Sequence, residues 1–240
     1  MEILTSKNNQ KIKELFKLKQ KKYRQKSNTF LIEGYNLVKE AIKAGIVLNI
    51  YESSDNPKYK NSILVSYEII KHLSFSETPQ KIVAHCKNPV VKKKMEKILF
   101  LNKVQDPGNV GTIIRLAKAF GFDTVVTEYF DFFNQKVIRA SQGSLFEINL
   151  IEIKNDTNFL SSLKKQGFKI YSTILDFEAK KLSEIIFPKS KLIIVLGNEG
   201  HGISNEIIKI SNEKVYIPIE FESLNVASCA AILLNKIYNG

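Results

Sequence analysis

Short unbroken apolar runs alternate with apolar residues spaced three and four apart along most of this chain. The clearest run is Leu192 to Leu196, five apolar residues without a polar interruption. A run that short reads as a strand buried on both faces, the pattern of a parallel sheet. It stops at Gly197 and enters a turn of Asn198, Glu199, Gly200, His201 and Gly202, too rich in glycine for a core element. Ser204 and Asn205 can cap a helix that carries Ile207 and Ile208. Further strands are predicted at 98–104, 124–127, 145–151, 169–175 and 215–218, and helices around 113–120, 135–141, 159–166 and 224–237. This alternation predicts an α/β fold with a mostly parallel sheet covered by helices.

The front of the chain reads as a smaller α/β unit. Ile12, Leu15, Phe16 and Leu18 predict a short amphipathic helix over 8–22 with lysines on its outer face. Strands follow at 29–32, 46–51, 63–65 and 81–84. A helix over 35–44 ends at Gly45, and another is expected at 67–73. Pro89 and the run Lys92-Lys93-Lys94 mark a boundary near 87–97, giving expected domains of 1–92 and 98–240.

Charge changes the picture. The net charge is +12, and residues 1–97 hold 20 Lys and Arg against 9 Asp and Glu, while the remainder holds 16 against 15. Residues 1–26 alone carry nine cations against Glu2 and Glu14. An excess sorted into the front part points to a polyanion there, nucleic acid first and an anionic membrane surface a distant second. The two cysteines, Cys86 and Cys229, suggest no disulfide framework and fit a reducing cytoplasm. The first 20 residues have no apolar signal-peptide core, and no apolar run approaches membrane-spanning length, so no membrane partner is expected. His72, His85 and His201 show no metal-ligand spacing with the cysteines, and no metal is expected.

Three loops stand at the carboxyl ends of predicted strands: 105–111, 197–204 and 218–225. In a parallel sheet such loops share an edge, where ligands bind. Each also has a plainer reading. The turn at 197–204 could be an ordinary strand-to-helix connection, Asn109 a helix cap, and Arg115 a solvated helix residue. Yet arginine occurs only at Arg24, Arg115 and Arg139, against 33 lysines, and its forked, permanently charged head suits phosphate. In the third loop, Ser223 and Asn225 open a helix whose first turns are small, from Ala227 to Ala231. That allows close helix–sheet packing or the approach of a flat ligand.

The segments DPGNVGTIIRLA (106–117), LGNEGHGIS (196–204) and IPI…ESLNVASCAAILL (217–234), with RASQGS (139–144), resemble the motifs of the SpoU family of RNA ribose 2′-O-methyltransferases in the SPOUT superfamily. The front part, with KQKKYRQKSNTFLIEG, resembles the RNA substrate-binding domain often fused ahead of it. The resemblance implies a carboxyl-terminal α/β-knot domain with a deep trefoil knot. It implies S-adenosyl-L-methionine bent within that knot, and a homodimer with active sites at the subunit interface. It assigns cofactor binding to Thr173, Gly197, Asn198, Gly202, Ile217 and Leu224, and catalysis to Arg115 with Asn109, Glu199, Ser223 and Asn225. RNA contact falls to Lys19, Lys21, Lys22, Arg24 and Arg139. Glu220-Phe221 make a shorter link than is common in the family. The expected substrate is RNA, ribosomal RNA in preference to transfer RNA. A transfer-RNA ribose methylase, or a non-catalytic RNA-binding protein of the same fold, is the alternative.

Overall fold

A computed structural model describes residues 3–55, 57–91, 93–176, 178–198, 200–220 and 222–240. Glu199 and Phe221, both singled out above, lie outside the described residues. The chain forms two units, 1–90 with 133–147, and 91–132 with 148–240. Residues 133–147 thus cluster with the front unit, a membership that periodicity along the chain does not disclose.

The front unit runs α1 (Gln10–Lys17), α2 (Lys21–Ser27), β1 (Thr29–Glu33), α3 (Tyr35–Lys43), β2 (Val47–Ser53), β3 (Ile63–Val65), α4 (Tyr67–Leu73) and β4 (Ile82–Lys87). Its sheet has the order β1-β4-β2-β3, antiparallel except for the β2–β3 pair. Ile12, Leu15 and Leu18 pack with Leu31, Tyr51, Ile69 and Leu73 in one core. The single helix expected over 8–22 is broken into α1 and α2. Burying Leu18 beside Leu15 turns the chain, and the Arg24 guanidinium then donates to the Leu18 carbonyl at 2.8 Å and the Lys19 carbonyl at 2.9 Å. Phe16, expected on the inner face, is 39% exposed and stacks on His72 with ring centroids 4.2 Å apart.

The second unit begins with β5 (Lys97–Asn102), α5 (Pro107–Ala119) and β6 (Thr124–Glu128). After α6 (Gln135–Ser141), which belongs to the front unit, come β7 (Asn149–Ile153), α7 (Asp156–Lys165), β8 (Lys169–Thr173) and β9 (Lys180–Lys181). The chain closes with β10 (Leu192–Gly197), α8 (Asn205–Ile210), β11 (Glu213–Tyr216) and α9 (Val226–Asn239). The strand expected at 145–151 starts late. Ser144–Phe146 is a 3-10 turn whose Leu145 and Phe146 are buried, and a short apolar run cannot by itself distinguish that from a strand.

The seven strands lie in the order β7-β6-β5-β10-β8-β11-β9, and every pair is parallel. β10 is central, paired with β5 on one side and β8 on the other, and its residues from Leu192 to Leu196 are buried. Ile98, Phe100, Ile170, Ile193 and Val195 pack against Leu160, Leu163 and Ile207 from α7 and α8. Strand order runs outward from β5 to β7, then resumes on the far side of β5, so the order reverses between β5 and β10. Ligands gather beyond the carboxyl ends of strands at such a switch point.

Candidate functional site

The loop after β10 is tied shut by its own backbone. Asn198 N–H donates to the Gly202 carbonyl at 3.0 Å, and Gly202 N–H donates to the Asn198 carbonyl at 2.9 Å. Asn198 Oδ1 accepts from Gly200 N–H at 2.9 Å and His201 N–H at 3.0 Å, while its Nδ2 donates to the Lys103 carbonyl at 2.8 Å. Ser204 N–H donates to Asn102 Oδ1 at 2.9 Å, anchoring the far end of the loop to β5. Only glycine fits at 197, because a Cβ there would lie 2.5 Å from the Gly202 carbonyl carbon and 2.8 Å from the Ile203 nitrogen.

The other two loops meet at the opening turns of their helices. Asp106 caps α5 by accepting from Asn109 N–H at 2.8 Å, and Asn225 caps α9 by accepting from Ala227 N–H at 2.9 Å. Asn225 Nδ2 then donates to Asn109 Oδ1 at 3.1 Å. Motifs far apart in sequence are therefore joined directly.

Between the β8, β10 and β11 exits lies a cleft of about 330 Å³. Its walls include all six residues expected to hold the cofactor: Thr173, Gly197, Asn198, Gly202, Ile217 and Leu224. Ser223 lines it as well. Thr173 donates its hydroxyl to the Val195 carbonyl at 3.0 Å. Burial pushes the neighbouring Cys229 thiol up to about 11, against a smaller opposing pull from its hydrogen bond with Thr173. Cys229 and His201 are wall residues that the motifs did not nominate. The small-residue turn that contains Cys229 was the available signal.

The described lining fits S-adenosyl-L-methionine. In a protein of net charge +12, none of the described lining residues is a lysine or arginine, so a sulfonium meets no like charge. Leu175, Ile217, Ile219 and Leu224 offer apolar surface for a flat base, and the glycine turn offers backbone polar groups, the usual mixture in a small-molecule pocket.

The remaining expected residues are dispersed. Arg115 is exposed on α5 and is not among the described lining residues of the cleft. Arg139 is exposed on α6, in the front unit. Lys21 and Lys22 are exposed on α2. Arg24 corrects the expectation of RNA contact: it is buried, 7% exposed, with its guanidinium committed to main-chain carbonyls. Lys19 is also partly withdrawn. Its ammonium donates to the Ser74 carbonyl at 2.6 Å, and desolvation lowers its pKa, partly offset by Glu33. Among the described residues no group of three or more His, Cys, Asp and Glu could hold a metal, and no helix is long and apolar enough to cross a membrane.

Comparison with known proteins gives a consistent result. Residues 96–235 match the SpoU rRNA Methylase family, and residues 9–84 match the MRM3-like substrate binding domain. A Bacillus subtilis relative, 23S rRNA (guanosine(2553)-2′-O)-methyltransferase RlmP, is 40% identical over 98% of both chains. The structure of a putative RNA methyltransferase of the TrmH family from Porphyromonas gingivalis superposes with a TM-score of 0.85 at 31% identity, covering 97% of this chain and 98% of that one. An AdoMet-bound rRNA methyltransferase from Sinorhizobium meliloti also gives a TM-score of 0.85, at 25% identity, covering 99% of this chain and 97% of that one. The chain belongs to the SpoU rRNA methylase family.

Proposed function

We propose that the protein transfers a methyl group from S-adenosyl-L-methionine to a ribose 2′-hydroxyl of ribosomal RNA, at the 23S guanosine equivalent to that named for the Bacillus relative. The observation that carries this reading is the convergence of three distant motifs on one sheet edge, with the residues expected to hold the cofactor around one cleft and Asn225 bonded to Asn109. When bound, S-adenosyl-L-methionine supplies an electrophilic methyl carbon on a sulfonium. The protein's part is to bind, orient and manage a proton. Gly197, Ile217 and Leu224 hold the cofactor through backbone, and Thr173 fixes the wall behind it. Asn109, Ser223 and Asn225 fix the geometry of the ribose, and Glu199 is assigned to orienting it. Arg115 orients the hydroxyl and favours its deprotonation, assisted by the RNA phosphate.

Arg115 is absent from the described cleft lining of its own chain, and this supports a homodimer in which one subunit's α5 meets the other subunit's cleft. Leu224, Ile232 and Tyr238 leave apolar surface exposed along and ahead of α9, which packs on α5. The exposed Lys21 and Lys22, with Arg139, supply phosphate contacts from the front unit, and such a substrate assigns the work to the cytoplasm. Incubating the protein with tritiated S-adenosyl-L-methionine and either 23S rRNA or total transfer RNA tests the reading. Label should enter 23S rRNA as 2′-O-methylguanosine. Label confined to transfer RNA, or to a base, would overturn it.

A further inference from the structure

Resting on the methyltransferase reading, we propose that the exits of β5, β6 and β7 form a landing surface for single-stranded RNA. Tyr129 stacks on an unpaired base there, and Lys103 and Lys154 hold the flanking phosphates. Register alone sets the arrangement. Asn102 pairs with Gly197, Leu101 with Thr127, and Glu128 with Ile153. The residues that follow Gly197, Asn102, Glu128 and Ile153 are Asn198, Lys103, Tyr129 and Lys154, so these leave the carboxyl edge as a row of adjacent strand exits in that order. The row begins at the cleft, where Asn198 Nδ2 holds the Lys103 carbonyl.

Tyr129 is 66% exposed, with a backbone φ of 50°. Lys103, its neighbour in the row, has a φ of 58°. A bulky side chain is disfavoured in that left-handed region. With the ring in solvent, burial does not offset the strain, and strain of this kind gathers where a side chain must be presented to a ligand. The Tyr129 hydroxyl donates to the Lys154 carbonyl at 3.3 Å, tying the ring's tip to the next exit.

Charge selects the partner. Lys103 and Lys154, at the strand exits next to that of Tyr129, are both exposed. Two neighbouring acids are engaged by the chain itself: Asp106 caps α5 by accepting from Asn109 N–H, and Asp156 accepts from Asn102 Nδ2 and Thr157 N–H. An aromatic ring between two cations is how single strands are gripped with little regard to sequence.

The chain contains no tryptophan, so Tyr129→Trp places a unique reporter in the row. Its emission should fall about twofold on saturation with a single-stranded oligoribonucleotide of about 12 nucleotides, saturation being fixed by the anisotropy of a labelled copy. Tyr129→Asn keeps a residue that tolerates the left-handed backbone but removes the ring, and should weaken binding about tenfold; Tyr129→Phe should stay within about twofold. Binding with unquenched tryptophan, or an asparagine variant as tight as the parent, overturns the surface alone. Quenching without any methyl transfer to 23S rRNA leaves the surface standing and removes the methyltransferase reading. An absence of oligonucleotide binding removes the surface, while label entering 23S rRNA still upholds the methyltransferase reading.

Discussion

Asn225 reaches across 116 positions of sequence to donate its Nδ2 to Asn109 Oδ1, and the same side chain caps α9 through its Oδ1. One amide therefore fixes the start of the last helix and clasps it to the first motif. Asn225→Ala should cost about 1–2 kcal/mol through the lost cap and lower methyl transfer further. Asn109→Ala keeps the Asp106 cap of α5 and should cost less stability. Denaturation of both single variants and the double variant forms a thermodynamic cycle. A coupling near zero would show that the clasp contributes nothing.

Gly197 is the second fixed point. An added Cβ would strike the backbone of Gly202 and Ile203, where no flexible side chain can give way. Gly197→Ala should lower the melting temperature by several degrees, about 1–3 kcal/mol, and abolish the rise that S-adenosyl-L-methionine produces in the parent. At Gly200 a Cβ would meet only Asn198 Oδ1, at an ordinary 3.6 Å. Gly200→Ala should therefore melt close to the parent. Equal losses at both positions would place the sensitivity in the whole turn.

Much of this edge was legible in the sequence because it depends on local rules. A five-residue apolar run paired on both sides must be a central strand, and the glycines beyond it must turn. The cleft residues were named by the family resemblance, and strand exits sharing one edge explain why positions so far apart line one cleft. What sequence hid was the partner of each cation. Lysine and arginine look alike on a helix wheel, whether they face solvent or carbonyls. Arg24 turned inward because the break at Leu18 created carbonyls that needed a donor. Residues 133–147 joined the front unit through contacts such as Gln135 Nε2 to the Leu31 carbonyl at 2.6 Å, separated by 104 positions and invisible to periodicity.

The two kinds of cation near the start of the chain should separate by experiment. Arg24→Ala removes charge-assisted bonds to two carbonyls and should destabilise the protein by about 1.5–3 kcal/mol. Lys21→Gln and Lys22→Gln should leave the melting temperature unchanged and each reduce the slope of log affinity against log salt by about 1 for RNA. A reduced salt slope in a fully stable Arg24→Ala protein would return that arginine to the RNA surface.

Alkaline pH should weaken the fold before other chemistry intervenes. Burial pushes the Cys86 thiol up to about 12 from an ordinary 9.0, and the Cys229 thiol to about 11. The folded pKa lies above the unfolded one, so above pH 9 the unfolded chain releases a proton that the folded chain keeps. This stability is fully present below pH 9 and is lost toward pH 11 for Cys229 and pH 12 for Cys86, at about 1.4 kcal/mol per pH unit for each thiol. Urea titrations from pH 8 to pH 11 should show the decline, and Cys86→Ala should flatten it by one proton. An unchanged slope would assign the loss to other groups.

Arg115 gives the most demanding test, because the role proposed for it ties chemistry to assembly. The residue is exposed on α5 and lies outside the described cleft lining. Arg115→Ala should retain the cofactor-induced rise in melting temperature and lose methylation by about 100-fold or more. Arg115→Lys should not restore it, because an ammonium lacks the fork that orients hydroxyl and phosphate together. Cys229→Phe should fill the cleft and abolish cofactor binding while leaving Arg115 intact. If each site takes its arginine from the partner subunit, refolding the Arg115→Ala and Cys229→Phe variants together makes mixed dimers that join an intact cleft to an intact arginine. Random pairing would return about a quarter of the parent's activity. If the arginine serves its own cleft, no mixed dimer has a complete site and the mixture stays inactive, which would overturn the shared-site arrangement.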